Sequence, residues 1–226
     1  MRSVRTGASS LSTFFQVAPR IPSLLARMRP TWHVPALAAV TPAFLRSHGL
    51  RGIIWDVDGT LTGDRREDLL DESAGPFRAL LAAAGVTHVV LSNAGEERYR
   101  QLGRMFPAVP ILRGYELGAE VLFRRLVGTQ DSWTDEELER RLSAGARVIR
   151  KPSAALVEYA LRELGCAKQD VVMIGDQYLT DVAGANLAGV RSIKLPTLAP
   201  ETFRPAVRLS QRVESALYRL LHGRAA

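Results

Sequence analysis

Short apolar runs alternate with amphipathic stretches of helical length along most of this chain. Residues 52–57 (GIIWDV) read as a buried strand. Residues 71–84 follow as a helix, with Phe77, Leu80, Leu81 and Ala84 at three- and four-residue steps and Gly85 at the C-terminal end. The pattern then predicts strand 87–91, helix 96–105, a short strand 109–112, helix 153–164 closed by Gly165, strand 170–174, helix 180–188 closed by Gly189, and a last strand 191–195. Strands separated by helix-length segments imply an α/β fold, a parallel sheet with helices on both faces. Such sheets place ligands at the carboxyl ends of their strands.

Two stretches depart from this alternation. Residues 114–148 form an insert, expected as a small helical one with helices at 115–126 and 134–142. Thr134 and Glu137 resemble a capping box for the second helix. Residues 205–221 read as a C-terminal helix with Leu209, Val213, Ala216, Leu217 and Leu220 on one face and Arg208, Arg212, Ser215 and Arg219 on another. Before the first strand, Pro30, Pro35 and Pro42 mark a turn-rich lead-in with one or two short helices. Residues 1–30 are expected to be a flexible basic segment, leaving 31–226 as the folded domain.

The net charge of +7 is unevenly placed: residues 1–55 hold seven arginines and no acid, and residues 191–226 hold seven bases against Glu201 and Glu214. Basic ends around a mildly acidic centre suit an anionic partner, and peripheral contact with an anionic membrane fits them. No basic patch is interleaved with aromatics, so no nucleic-acid partner is expected. Cys166 is the single cysteine, which excludes an intrachain disulfide and fits a reducing compartment. No apolar run has the length of a membrane span. The expected location is cytoplasmic, with peripheral contact at the inner membrane surface. The Arg- and Ser-rich, acid-free 1–30 has the composition of a mitochondrial transit peptide, which gives the alternative location. His33, His48, His88 and His222 lack metal-ligand spacing. Trp55 reads as core, and Trp133 in the insert as an exposed contact.

Chemistry concentrates at the predicted strand ends. Asp56-Val57-Asp58-Gly59-Thr60-Leu61 directly follows the first apolar strand. Two carboxylates spaced by two leave a strand on the same side. Together they make a hard oxygen site suited to Mg²⁺, and can divide the roles of nucleophile and acid or base. An unpaired Asp56 at a buried strand end is costly without a cation. Ser92-Asn93 ends the second strand and offers a hydroxyl and an amide to phosphoryl oxygens. Lys151-Pro152 opens a helix, and Lys151 is one of three lysines in a chain of 27 arginines. A compact ammonium suits a crowded phosphate site where a guanidinium is too wide. Asp176 stands at a third strand end, and Asp181 lies in the first turn of the next helix, where the helix dipole favours an acid.

In this order the four pieces resemble the motifs of the haloacid dehalogenase (HAD) superfamily of phosphohydrolases, over about residues 30–222. The resemblance implies a Rossmann-like HAD fold and a role for each residue. Asp56 would attack phosphorus and carry the aspartyl phosphate. Asp58 would protonate the leaving oxygen and then activate water. Ser92 and Asn93, with Lys151, would hold the phosphoryl group. Asp56, Asp176 and the backbone carbonyl of Asp58 would hold Mg²⁺, with Asp181 behind them. Residues 175–186 (GDQYLTDVAGAN) and the lead-in around Pro30-Thr31-Trp32-His33-Val34 are similar to the YqeG-like branch of subfamily IIIA. That branch includes phosphatidylglycerophosphate phosphatases, so a phospholipid at a membrane surface is the expected substrate. Gly59 stands where the branch usually has asparagine, and 114–148 is longer than the branch pattern. The longer insert motivates an alternative, a soluble HAD phosphatase for a sugar phosphate or nucleotide. A non-catalytic phospho-acceptor or scaffold is the third reading. Its acidic pair would lie on an earlier strand than the phosphorylated aspartate, unlike the order here.

Overall fold

The computed structural model describes residues 21–223. Its strands are β1 (Trp32–His33), β2 (Gly52–Trp55), β3 (Thr87–Leu91), β4 (Ile111–Leu117), β5 (Glu120–Val127), β6 (Gln130–Asp131), β7 (Arg147–Ile149), β8 (Val171–Gly175) and β9 (Arg191–Lys194). Its α-helices are α1 (Ile21–Leu25), α2 (Pro42–Ser47), α3 (Asp71–Leu81), α4 (Glu96–Met105), α5 (Asp135–Ser143), α6 (Ala154–Leu164), α7 (Ala183–Leu187) and α8 (Pro205–His222). One sheet runs β1-β9-β8-β2-β3-β4-β5-β6, with β7 also on β4. From β1 to β4 all pairs are parallel; β5, β6 and β7 add antiparallel pairs.

The alternation within β2 sends side chains to two cores. Ile53 and Trp55 pack with Phe77 and Leu80 of α3 and Tyr99 and Leu102 of α4. Ile54 faces Leu156, Val157 and Ala160 of α6 and Ala185 of α7. All four residues of β2 are buried, as a strand covered on both faces requires. From β2 the chain moves outward through β3 and β4 on one side, and through β8 and β9 on the other. The crevice for a ligand therefore opens at the carboxyl end of β2, where the strand order reverses.

The insert is not helical in its first half. Residues 115–126, expected as a helix, are the end of β4 and most of β5, joined through Gly118-Ala119, with Leu117 opposite Glu120. Gly118 takes a positive φ of 61°, which suits the first residue of such a turn. The second half does contain the expected helix, α5, and the Thr134 hydroxyl accepts from the Glu137 N–H at 3.1 Å. Glu137 itself binds Arg141, not the Thr134 backbone, so half of the capping box forms. Trp133 is buried rather than exposed, packed on Tyr115 at 4.9 Å between ring centres and covered by Arg141.

The ends differ as well. Residues 1–20 of the expected flexible segment lie outside the described residues. Within the rest of that segment Leu24 and Met28 are fully buried. The lead-in supplies α2, capped by Thr41, and an extra edge strand, β1, on β9. Helix 180–188 begins as a π-helical turn at Tyr178–Val182 before α7.

Candidate active site

Every piece starts at a strand end. Asp56 continues β2, and its N–H donates to Ile174 of β8 at 2.9 Å. Its carboxylate is buried, with Oδ2 accepting from the Thr60 hydroxyl at 3.1 Å and Oδ1 from Lys151 Nζ at 2.5 Å. The same ammonium reaches Asp181 Oδ1 at 2.7 Å. Asp176, one residue past β8, accepts through Oδ2 from Thr197 at 2.7 Å and from Gln211 of α8 at 3.2 Å. Its Oδ1 is buried with no hydrogen-bond partner among the described residues.

Asp56, Asp176 and Asp181 each offer an oxygen within 4.8 Å of the others. Two of the three buried carboxylates, Asp56 and Asp181, share the Lys151 ammonium, and Asp176 has no cation bonded to it among the described residues, so the cluster is short of positive charge. Burial pushes the Asp56 carboxyl up to about 7, with Lys151 working against the rise and Asp181 adding to it. Burial also raises Asp176 well above the carboxylate range, and Asp56 and Asp181 raise it further. Lys151 is raised: burial opposes its charge, but the Asp181 and Asp56 carboxylates outweigh that. The donor set is all oxygen, and Asp176 Oδ1 has no hydrogen-bond partner among the described residues. A hard divalent cation fits these residues.

Two glycines make this approach possible. Gly59 has φ +92°, and a Cβ there would stand 2.8 Å from Asp176 Oδ2. A Cβ on Gly175 would collide with the Asp181 carboxylate. The asparagine usual at position 59 in the resembling branch would meet Asp176 here.

Several expectations need correction. Asp58 is not part of the acidic cluster: its Oδ1 pairs with Arg98 at 2.7 Å and accepts from the Arg65 N–H at 3.1 Å. What Asp58 can offer a cation in this arrangement is its backbone carbonyl, as the resemblance implies. Asp181, expected behind the metal set, belongs to the cluster itself. Asn93 is not free for a phosphoryl group. Its Oδ1 accepts from the Lys151 N–H at 2.7 Å, and its Nδ2 donates to the Lys151 carbonyl at 3.2 Å. Asn93 thus clamps the backbone that carries the site's ammonium. Pro152 precedes the helix, and Ser153 is the N-cap of α6. Ser92 is half-buried at the end of β3, with no side-chain hydrogen bond among the described residues.

Sequence reasoning missed four residues here. Thr60 lies inside the Asp56 motif and was legible in principle. Thr197 and Gln211 reach Asp176 from 21 and 35 positions away, with no local signal. Arg98 is buried and also donates to the Arg66 carbonyl at 2.7 Å. Nothing in the helix 96–105 pattern distinguishes it from a surface arginine.

A family model for HAD-hydrolase-like proteins matches residues 148–197, the segment with Lys151, Asp176 and Asp181. The probable phosphatase YqeG of Bacillus subtilis is 26% identical over 85% of this chain and 93% of its own length. The chloroplastic phosphatidylglycerophosphate phosphatase 1 of Chlamydomonas reinhardtii is 24% identical over 82% of this chain and 59% of its own. The human phospholysine phosphohistidine inorganic pyrophosphate phosphatase is 36% identical over 52% of this chain, and the match spans 45% of that protein. The order of the strand-end motifs and these matches make the chain similar to HAD-like hydrolases, among them proteins named as phosphatases.

Proposed function

We propose that the chain is a Mg²⁺-dependent phosphomonoesterase acting through an aspartyl phosphate on Asp56. The observation that supports this most is the buried contact of Asp56 with Lys151 at 2.5 Å, within a carboxylate cluster that also holds Asp176 and Asp181. Lys151 and Thr60 bind separate oxygens of Asp56 and fix its orientation for in-line attack. The Asp56 oxygen forms its bond to phosphorus as the bond to the leaving oxygen breaks. Asp58 gives that oxygen a proton, then takes one from the water that cleaves the acyl phosphate. For the first transfer Asp58 must leave Arg98. Ser92, unengaged at the end of β3, is the phosphoryl contact. Asp56, Asp176 and Asp181, with the Asp58 carbonyl, would hold Mg²⁺, which when bound offsets the repulsion between an anionic nucleophile and an anionic substrate.

The test is phosphate release from an aryl phosphate. Activity should require Mg²⁺ and vanish in Asp56→Asn. Undiminished turnover in that variant removes Asp56 as nucleophile.

For the substrate we propose phosphatidylglycerophosphate. The name of the Chlamydomonas relative supports this, as does the exposed apolar and arginine-edged surface of α8. A panel of phosphatidylglycerophosphate in mixed micelles, sugar phosphates and nucleotides decides it. Faster turnover of the small metabolites assigns the enzyme to them instead.

A further inference from the structure

Helix α8 is turned over relative to its apolar pattern. Leu209, Val213, Leu220 and Leu221 are 62%, 49%, 81% and 50% exposed, while Glu214 and Tyr218 are buried. Polar and aromatic contacts hold the inner side. Glu214 accepts from the Leu179 N–H at 3.3 Å, Gln211 donates to Asp176 at 3.2 Å, and Tyr218 stacks on Tyr178 at 4.3 Å. At 100° per residue, Leu209, Val213, Ala216 and Leu220 fall in one outward stripe, and Arg208, Arg212 and Arg219 line one edge of it.

We infer that this outward face of α8 docks the protein on an anionic lipid bilayer, with the helix lying in the interfacial plane. The stripe would enter the headgroup region and the arginines would meet lipid phosphates. Charge chooses this occupant. The one acid of α8 is Glu214, and it is buried. A second copy on this face would therefore bring arginines and no exposed carboxylate. Residues 1–20 carry Arg2, Arg5 and Arg20 and no acid, so they cannot neutralise the edge either. The chain enters the described structure beside α8, where Leu25 carries a carbonyl in contact with His222 at 3.0 Å. The first described residues and the C-terminal helix thus meet through that contact. The inner edge of the same helix holds Asp176 through Gln211, so the docking surface and the candidate site are two sides of one element. The inference deepens the lipid-substrate reading by naming the surface that would meet the substrate's bilayer.

The experiment is co-sedimentation of the full chain with phosphatidylcholine vesicles, with and without phosphatidylglycerol. Binding should need phosphatidylglycerol and weaken with salt. The triple variant Leu209→Ser, Val213→Ser, Leu220→Ser should lower the vesicle partition coefficient at least roughly tenfold, with aryl phosphate hydrolysis unchanged. A second variant, Arg208→Gln with Arg212→Gln, should lose the preference for phosphatidylglycerol. Wild-type protein that ignores both vesicles overturns the inference, as does undiminished binding by the serine variant. A concentration-dependent dimer abolished by the serine substitutions, without vesicle binding, gives the face to self-association and also overturns it. Binding does not depend on turnover, so an inactive chain that binds and an active chain that does not are separate results.

Discussion

Asp58 and Asn93 have side-chain partners that their positions in the motifs do not suggest. In Asp58 the carboxylate is tied to Arg98, so its role in proton transfer is best read through the leaving group. Asp58→Asn should lower turnover by roughly 10² to 10⁴ for alkyl phosphates, whose leaving oxygen needs a proton, and far less for p-nitrophenyl phosphate. An equal loss on both substrates would make Asp58 a structural support of its turn. Asn93 makes two hydrogen bonds to the Lys151 backbone. Asn93→Ala should cost about 1–3 kcal/mol of stability in denaturant melts, from two lost bonds of about 1 kcal/mol each. Its turnover should fall with Lys151 misplaced. A rise in KM with kcat intact would instead point to direct phosphoryl contact by Asn93.

At the scale of elements, the sequence was most legible where strands are buried on both faces and helices are amphipathic. Strands β2, β3, β8 and β9 and helices α4 and α6 follow from apolar periodicity alone. The pattern failed in β4 and β5. There Leu117, Val121, Leu122 and Leu126 mimic helical spacing, and Arg113 and Arg124, buried against Glu96 and Asp131, hide the strand alternation. A buried arginine looks like a surface one until its carboxylates, here up to 28 positions away, are known. Helix α8 was legible as a helix but not in its orientation, because Gln211, Glu214 and Tyr218 outbid the leucines through contacts the pattern does not encode. Glu214 gives the clearest test. Burial raises its carboxyl from 4.5 to about 7, so the folded chain keeps a proton that the unfolded chain releases. Its contribution is fully present below pH 4.5 and is lost as pH rises through about 7. The loss is about 3 kcal/mol from the size of that shift. Glu214→Gln should therefore match wild type at pH 4.5 and melt at a higher temperature at pH 8. Parallel melting curves at both pH values would show that Glu214 is not buried as a neutral acid.

For the whole molecule, the candidate site depends on the sheet bringing together residues from positions 56, 151, 176 and 181. The metal test follows from their charge. Without a cation, burial raises Asp56 to about 7 and raises Asp176 well above the ordinary value of 3.8. The folded chain then binds more protons than the unfolded one, so metal-free stability should fall as pH rises from about 4 through 7. A divalent cation needs the same oxygens deprotonated, so it competes with those protons and its binding strengthens in the same window. Mg²⁺ at about a hundredfold excess over its dissociation constant stabilises by about 2.7 kcal/mol, which is roughly 5–10 °C in Tm for a chain of this size. The Mg²⁺-induced rise should be largest near pH 8 and shrink toward pH 5, even with no substrate present. It should be lost in Asp176→Asn, while Asp58→Asn should keep most of it, because the Asp58 carboxylate faces Arg98 and not the cluster. Thermal melts across pH with Mg²⁺ or EDTA read this directly. A rise that is independent of pH, or that survives Asp176→Asn intact, would place the cation elsewhere on the molecule and leave the three buried carboxylates without the charge their burial demands.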